Sequence, residues 1–213
     1  MADLLLADPH IPTAFRDIGY QDFRTTGTDG PIRRGIYKTI REWRPTKERP
    51  NLLLYGKPGL GKTFLAVASL NERQRLWEFR TKTGKDLPPE SVRVLRQNFY
   101  PVYFVQLAEL ITMHLRSFNL RDKDDVAWAE LTDLLEGLSD RAKWLVIDDV
   151  GKEHATGTDF SIDTFDLLVR NRFNNGLYTI FTSNMPPSRW ESCYSESMRS
   201  FIERTSEIIK FTD

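Results

Sequence analysis

The sequence predicts an α/β domain of three layers, a parallel sheet covered by helices on both faces, and three observations carry that expectation. Apolar runs of strand length recur with helical patterns between them, the order of elements that builds parallel sheets. The first run, Leu52-Leu53-Leu54-Tyr55, opens directly into Gly56-Lys57-Pro58-Gly59-Leu60-Gly61-Lys62-Thr63, a G-x-x-x-x-G-K-T phosphate-binding loop set between strand and helix. A later run, Trp144-Leu145-Val146-Ile147, is unbroken, as expected of a strand buried on both faces, and it closes on Asp148-Asp149.

Taken in order, residues 1–50 are expected to form an extension that lies across a main domain spanning 51–213, with Ile11, Phe15, Ile18, Tyr20 and Phe23 as apolar points among Pro, Gly and Thr. Ile32, Ile36, Ile40 and Trp43 recur at three- and four-residue steps and predict an amphipathic helix over 31–44, which Pro45 ends. Beyond the phosphate loop a helix is predicted from about 62 to 79, through Ala66, Leu70, Trp77 and Phe79, followed by a surface insertion over about 81–99. Val102-Tyr103-Phe104-Val105 reads as the second strand, and 106–118 as a helix with Leu107, Leu110, Ile111 and Leu115 on its buried face. Residues 126–138 are helical again, with Trp128, Leu131, Leu134 and Leu135 inward; after the Trp144 strand come a helix over 162–173, the strand Tyr178-Thr179-Ile180-Phe181, a short helix over 196–204 and a last strand over 207–211.

Composition narrows the classes. Thirty basic residues balance thirty acidic ones, so no overall polyelectrolyte field announces a nucleic-acid partner and any DNA contact is local. The single Cys193 excludes an intramolecular disulfide and fits a reducing, cytoplasmic compartment. His10, His114 and His154 are far apart in sequence, which leaves no metal-ligand cluster. No apolar run reaches membrane-spanning length, and residues 1–8 lack the basic start of a signal peptide, so no membrane partner is expected.

The chemistry of the loop explains its residues. Glycines let backbone N–H groups turn inward around a phosphate, and the helix that opens through Lys62, Thr63 and Phe64 aims its N-terminal dipole at the same anion. Lys62 offers a point charge to the β- and γ-phosphates of a nucleotide, and Thr63 a hydroxyl to Mg²⁺. In a parallel sheet the ligand sits beyond the carboxyl ends of the strands, so Asp148 and Asp149 converge with Lys62. One acid there holds Mg²⁺ beside Thr63, directly or through water, and the other orients or deprotonates the attacking water. Thr182-Ser183-Asn184 ends the next strand, and Asn184 either hydrogen-bonds the γ-phosphate or attacking water, or is a turn residue before Met185-Pro186. Arg116, Arg121 and Lys123 with Phe118 form either a loop that touches single-stranded DNA or a solvated turn; Lys82 and Lys85 leave the same two alternatives.

The phosphate loop, the stretch Trp144-Leu145-Val146-Ile147-Asp148-Asp149-Val150-Gly151-Lys152-Glu153, Arg172-Phe173 and Thr182-Ser183-Asn184 together resemble the AAA+ ATPases of the DnaC helicase-loader and IstB transposition-helper group. Ile11-Pro12, Phe15-Arg16 and Phe23 are similar to the segment leading into the ATPase core there, so the resemblance covers about residues 11–211. It implies a P-loop NTPase of the ASCE type with a five-stranded parallel sheet in the order 5-1-4-3-2; this sequence departs from the relatives in stopping at Phe211-Thr212-Asp213, so no separate lid domain is expected after that strand. By matching position it makes Lys62 and Thr63 the nucleotide and Mg²⁺ ligands, Asp148 the metal-side acid, Asp149 the general base and Asn184 the sensor. Arg204 becomes the arginine finger that reaches a neighbouring subunit's γ-phosphate, with Arg199 second. The resemblance further implies ATP hydrolysis in a homo-oligomeric ring or filament, DNA as a partner, single-stranded ahead of duplex, and a protein partner such as a replicative helicase or a transposase. Replication and helicase loading is the leading role; a transposition helper and a slow nucleotide-dependent switch are the alternatives.

Overall fold

The computed structural model describes residues 10–26, 30–83, 102–152 and 159–212. The expected insertion from residue 84 onward, with Lys85, lies outside them, as do Glu153, His154 and the side chain of Lys82. The strands are β1 Asn51–Gly56, β2 Val102–Gln106, β3 Trp144–Val150, β4 Tyr178–Ser183 and β5 Ser206–Phe211. They form one sheet in the order β2-β3-β4-β1-β5 with every neighbouring pair parallel, which is the expected 5-1-4-3-2 order. The helices are α1 Gly30–Glu42, α2 Lys62–Thr83, α3 Leu107–Leu120, α4 Asp125–Asp140, α5 Asp159–Asn174, the short α6 Trp190–Cys193 and α7 Glu196–Thr205.

The side-chain period of two splits each strand between two cores. Leu52 and Leu54 join Phe104, Val146 and Ile180 on the face covered by α1, α2 and the N-terminal stretch, while Leu53 joins Tyr103, Leu145, Ile147 and Phe181 under α3 to α7. That is why the runs show no polar alternation: neither face of the sheet meets water. Helix α4 starts where the Asp124 side chain accepts from the Ala127 N–H at 3.0 Å, and α7 where Ser195 accepts from the Met198 N–H at 3.0 Å. Helix α1 stops at Glu42, ahead of the expected end at 44, because residues preceding Pro45 are biased away from helical backbone. Leu115 differs from expectation, being 48% exposed. Half-buried His114 continues the stripe of Leu107, Leu110 and Ile111, and Leu115, about 100° further round the helix, turns outward. Helix α6 was not apparent in the pattern; its Trp190 is fully buried against Phe165, Phe181 and Tyr194.

The N-terminal stretch is tied to α2 by polar contacts as well as apolar ones. Asn71 donates to the Phe15 and Ile18 carbonyls at 2.9 Å each, and the Tyr20 hydroxyl meets Ser69 Oγ at 2.6 Å. On the opposite face Arg172, at the end of α5, is fully buried. Its guanidinium donates to the Leu138 carbonyl, to the Ala142 carbonyl at 2.9 Å, to the Tyr178 carbonyl at 2.7 Å and to Thr179 Oγ1 at 3.0 Å, clamping α4, α5 and β4 together.

Candidate functional site

The carboxyl ends of β1, β3 and β4 meet at one place, and Lys62, Thr63, Asp148, Asp149 and Asn184 meet there with them, whereas Arg199 and Arg204 lie on α7, which leads into the start of β5. Gly56 ends β1, Lys57, Pro58 and Gly59 form the exposed crest of the loop, and Leu60 and Phe64 turn onto the core beside α2. Gly59 has φ +80°, a backbone that favours glycine, and open space where a Cβ would stand, as an inward-turned anion cradle requires. Gly61 has φ +91°, and a Cβ there would lie 2.7 Å from the Phe23 ring, so the N-terminal stretch is packed against the loop itself. Phe23 also meets Phe64, at 5.8 Å between ring centres.

Lys62 is 6% exposed, and its Nζ donates to the Gly56 and Lys57 carbonyls at 2.8 Å each and to Asn184 Oδ1 at 3.0 Å. Burial pulls its pKa down from the ordinary lysine value, against the attraction of Asp149 and Asp148. Thr63 Oγ1 donates to Asp148 Oδ1 at 2.8 Å, and Thr182 Oγ1 donates to the same oxygen at 2.6 Å while accepting from the Asp149 N–H at 3.0 Å.

The two acids depend on a local irregularity. In an unbroken strand Asp148 and Asp149 would point to opposite faces. The β3–β4 register shifts between Ile147 and Val150, a β-bulge, and Asp149 takes φ +60°. As a result Asp148 reaches Thr63 while Asp149 lines the same cavity as Lys62 and Thr63. That cavity, of about 330 Å³, is also lined by Phe15, Lys152 and Asn184. Lys152 Nζ holds Asp149 Oδ2 at 2.6 Å. Thr182 and Lys152 are contacts that sequence reading had not assigned. Thr182 belongs to the Thr-Ser-Asn stretch already singled out, which was its only signal. Lys152 likewise belongs to the quoted Asp-Asp stretch, and it reaches Asp149 through the tight turn in which its own N–H donates to the Asp149 carbonyl at 3.2 Å.

Burial raises the Asp148 pKa above the usual carboxylate value, the hydroxyls of Thr182 and Thr63 pull it back, and Asp149 pushes it up further. The sign for stability follows from linkage. The folded protein holds the Asp148 proton more tightly than the unfolded chain, so ionisation of Asp148 costs stability. That cost is absent below the unfolded value near 3.8 and fully present above the folded one. Asp148→Asn keeps an acceptor for both hydroxyls and removes the cost. Its melting temperature without nucleotide at pH 7 should equal or exceed wild type by about 2–4 °C, and the gain should vanish as the pH falls towards 3.8. A clear loss of stability at pH 7 would contradict this account.

Of the two candidate arginines, Arg199 is held by Glu191 at 3.2 Å and Glu203 at 3.0 Å. Arg204, at the end of α7, is exposed and makes no hydrogen bond or ion pair among the described residues. Phe118 of the charged segment is exposed and meets the Phe160 ring of α5 at 5.6 Å. Among the described residues no helix is long and apolar enough to cross a membrane.

No family model matches the chain, and no curated protein does. Solved structures do. The crystal structure of the DnaC helicase loader matches with a TM-score of 0.62 at 22% identity, covering 94% of this chain and 100% of that one. The fold is that of the AAA+ P-loop ATPases. DnaI matches with a TM-score of 0.61 at 18% identity, over 95% of this chain and 95% of its own. A DnaA replication initiator bound to AMPPCP and single-stranded DNA matches with a TM-score of 0.60 at 14% identity, over 96% of this chain and 51% of that one. The AAA+ fold accounts for the arrangement of the strands, since their order places the Thr-Ser-Asn strand between the phosphate-loop strand and the Asp148 strand.

Proposed function

We propose that the chain is a Mg²⁺-dependent ATPase of the DnaC kind that hydrolyses ATP between subunits of a homo-oligomer in the cytoplasm and uses that cycle on DNA, single strands ahead of duplex, in replication initiation and helicase loading. The observation that carries the reading is the convergence of Lys62, Thr63, Asp149 and Asn184 on one cavity at the strand ends, with Asp148 bonded to Thr63 behind its wall, in a fold that matches the whole of a helicase-loader structure over 94% of this chain. ATP and Mg²⁺ fit the donors present. Gly59 opens a glycine-lined cradle, the Lys62 ammonium is held by neutral oxygens that a phosphate can replace, and a hydroxyl and a carboxylate meet at 2.8 Å, oxygen donors suited to a hard cation. Thr63 and Asp148 would hold the ion, which supplies charge neutralisation at the phosphates. Lys62 places its charge on the β- and γ-phosphates, Asn184 orients the γ-phosphate or the attacking water, and Asp149 takes that water's proton.

Arg204 suits the finger role because it is exposed and uncommitted, and a guanidinium keeps its charge and forks onto two phosphate oxygens. The test measures ATP turnover by wild type and Arg204→Ala without DNA, with single strands and with duplex, while light scattering follows mass. ATP should raise the mass, single strands should stimulate turnover, and Arg204→Ala should lower turnover by about 10³-fold or more with ATP binding kept. A protein that stays monomeric with ATP and ignores DNA loses the reading. The Lys152 contact at 2.6 Å favours a second one, a slow nucleotide-dependent switch that recruits a protein partner, since it occupies the carboxylate that would serve as base. Assembly with a non-hydrolysable analogue, together with negligible turnover, would select it.

A further inference from the structure

Charge is balanced over the whole chain but not along it. Between Gly30 and Pro50 seven basic residues face only Glu42 and Glu48, an excess of five positive charges in a chain whose total is zero. Helix α1 turns that excess into one face. At about 100° per residue, Arg33, Tyr37, Arg41, Arg34 and Lys38 fall in that order within an arc of about 140°. The acid of α1, Glu42, lies outside the arc, and Arg44 follows just beyond the helix end.

Four of these cations, Arg34, Lys38, Arg41 and Arg44, meet no acid among the described residues. Arg34 donates to the Thr25 carbonyl at 3.3 Å, Arg41 to the Tyr37 hydroxyl at 3.1 Å, and Arg44 to the Arg41 and Trp43 carbonyls at 3.0 and 2.9 Å. All of these acceptors are neutral. Arg34, Lys38, Arg41 and Arg44 are exposed, and none of the four forms an ion pair among the described residues.

A basic amphipathic helix serves either a lipid surface or a polyanion, and burial decides between them. Membrane binding needs the apolar stripe free to enter the interface. Here Ile40 is 0% and Trp43 8% exposed, and Ile36 packs on the same core beside α2, which leaves Ile32, 44% exposed, as the one outward residue of the stripe, too little apolar surface to enter a membrane beside five cations. We infer that the basic face of α1 binds the phosphodiester backbone of a nucleic acid, without reading its bases. Guanidinium groups match phosphate oxygens in paired hydrogen bonds, and the released counterions drive association. The face is separate from the nucleotide cavity: Trp43, just past the end of α1, meets Trp144, the first residue of β3, at 5.9 Å, at the opposite end of that strand from Asp148. The inference rests on the DNA-acting part of the proposed function and supplies the surface it needs.

The test uses the full chain and the triple variant Arg34→Gln, Lys38→Gln, Arg41→Gln. Binding to a fluorescein-labelled mixed-sequence single strand, to its duplex and to phosphatidylserine vesicles is followed across a NaCl series, with the melting-temperature rise on adding ATP and Mg²⁺ as the control. The triple variant should bind nucleic acid about tenfold more weakly or worse, with the slope of log K against log salt reduced by about 2–3, and its ATP-induced rise should match wild type. The two nucleic-acid arms show which form the face holds, and either supports the inference. Wild-type DNA binding that the triple variant keeps in full overturns the inference and leaves the DNA reading standing. A wild type that binds no DNA overturns both. Vesicle binding without DNA binding gives the face to membranes and overturns it too. The ATP-induced rise reports separately on the nucleotide site in every arm.

Discussion

Lys62→Ala should remove the stabilisation that ATP and Mg²⁺ confer and lower ATP turnover by about 10²- to 10³-fold, while leaving the protein folded. The Lys62 ammonium has no carboxylate bonded to it and is held by two carbonyls and an amide oxygen. Those are neutral dipoles that an anionic phosphate outcompetes, because it adds the direct attraction of a full opposite charge. Removing the side chain frees three acceptors at a loop whose crest is exposed, where water can serve them. The depressed pKa means that the unfolded chain holds the Lys62 proton more tightly, so at neutral pH the buried charge costs stability that alanine regains. The two effects oppose each other, and the melting temperature without ligand should change little. With ligand at about a hundred times its dissociation constant, wild type should gain about 2.7 kcal/mol. For a chain of this length that is a rise of roughly 5–10 °C. The measurement is thermal unfolding with and without ATP and Mg²⁺. A wild-type rise in Lys62→Ala would take Lys62 out of the binding site.

The sheet was legible because burial on both faces writes itself into the sequence as unbroken apolar runs, and Leu52-Leu53-Leu54 is the plainest case. Strand order was not legible from periodicity, which says which way a side chain faces but not which strand lies alongside; it came from the resemblance, and the β2-β3-β4-β1-β5 sheet agrees with it. In the site, the phosphate loop and the Asp-Asp pair stood out by spelling. Their working geometry did not, since it depends on a bulge and a positive φ at Asp149 that aim two adjacent carboxylates the same way. Thr182 inherits that invisibility, being placed by a contact across the bulge, and Lys152 is set by the turn that follows it. The basic face of α1 was hidden for a different reason: a charge sum over the whole chain averages it away, and only the helical projection of residues 33–41 recovers it. Arg172 is the sharpest mismatch between spelling and place. A cation in the last turn of a helix ordinarily reads as a solvated partner of the helix dipole, yet this one is fully buried.

That burial sets the largest stability effect expected of any single substitution here. Arg172→Met should destabilise the protein by about 3–5 kcal/mol. The guanidinium has no buried carboxylate bonded to it; it satisfies the Leu138 and Ala142 carbonyls at the end of α4, the Tyr178 carbonyl and Thr179 Oγ1. Methionine fills much of the volume and satisfies none of these groups, and each buried acceptor left without a donor costs about 1–3 kcal/mol. Relief of the buried charge offsets part of that. Burial lowers the Arg172 pKa to about 9, still above neutrality, so the group stays charged at pH 7 and its desolvation cost is present there. The sign is that of a base held less tightly in the folded state: the cost is complete below about 9 and is relieved only as the pH climbs from there towards the ordinary arginine value. At pH 7 the lost hydrogen bonds outweigh the relieved desolvation, because three elements lose their common donor at once. The melting temperature should fall by roughly 10 °C or more, with Lys62 and the phosphate loop, at the carboxyl end of the sheet, keeping their affinity for ATP in the fraction that stays folded. Thermal unfolding and nucleotide binding measured on the same sample separate the two effects. A variant that melts within about 2 °C of wild type would mean that water or a relaxed backbone serves those acceptors and that the clamp is dispensable.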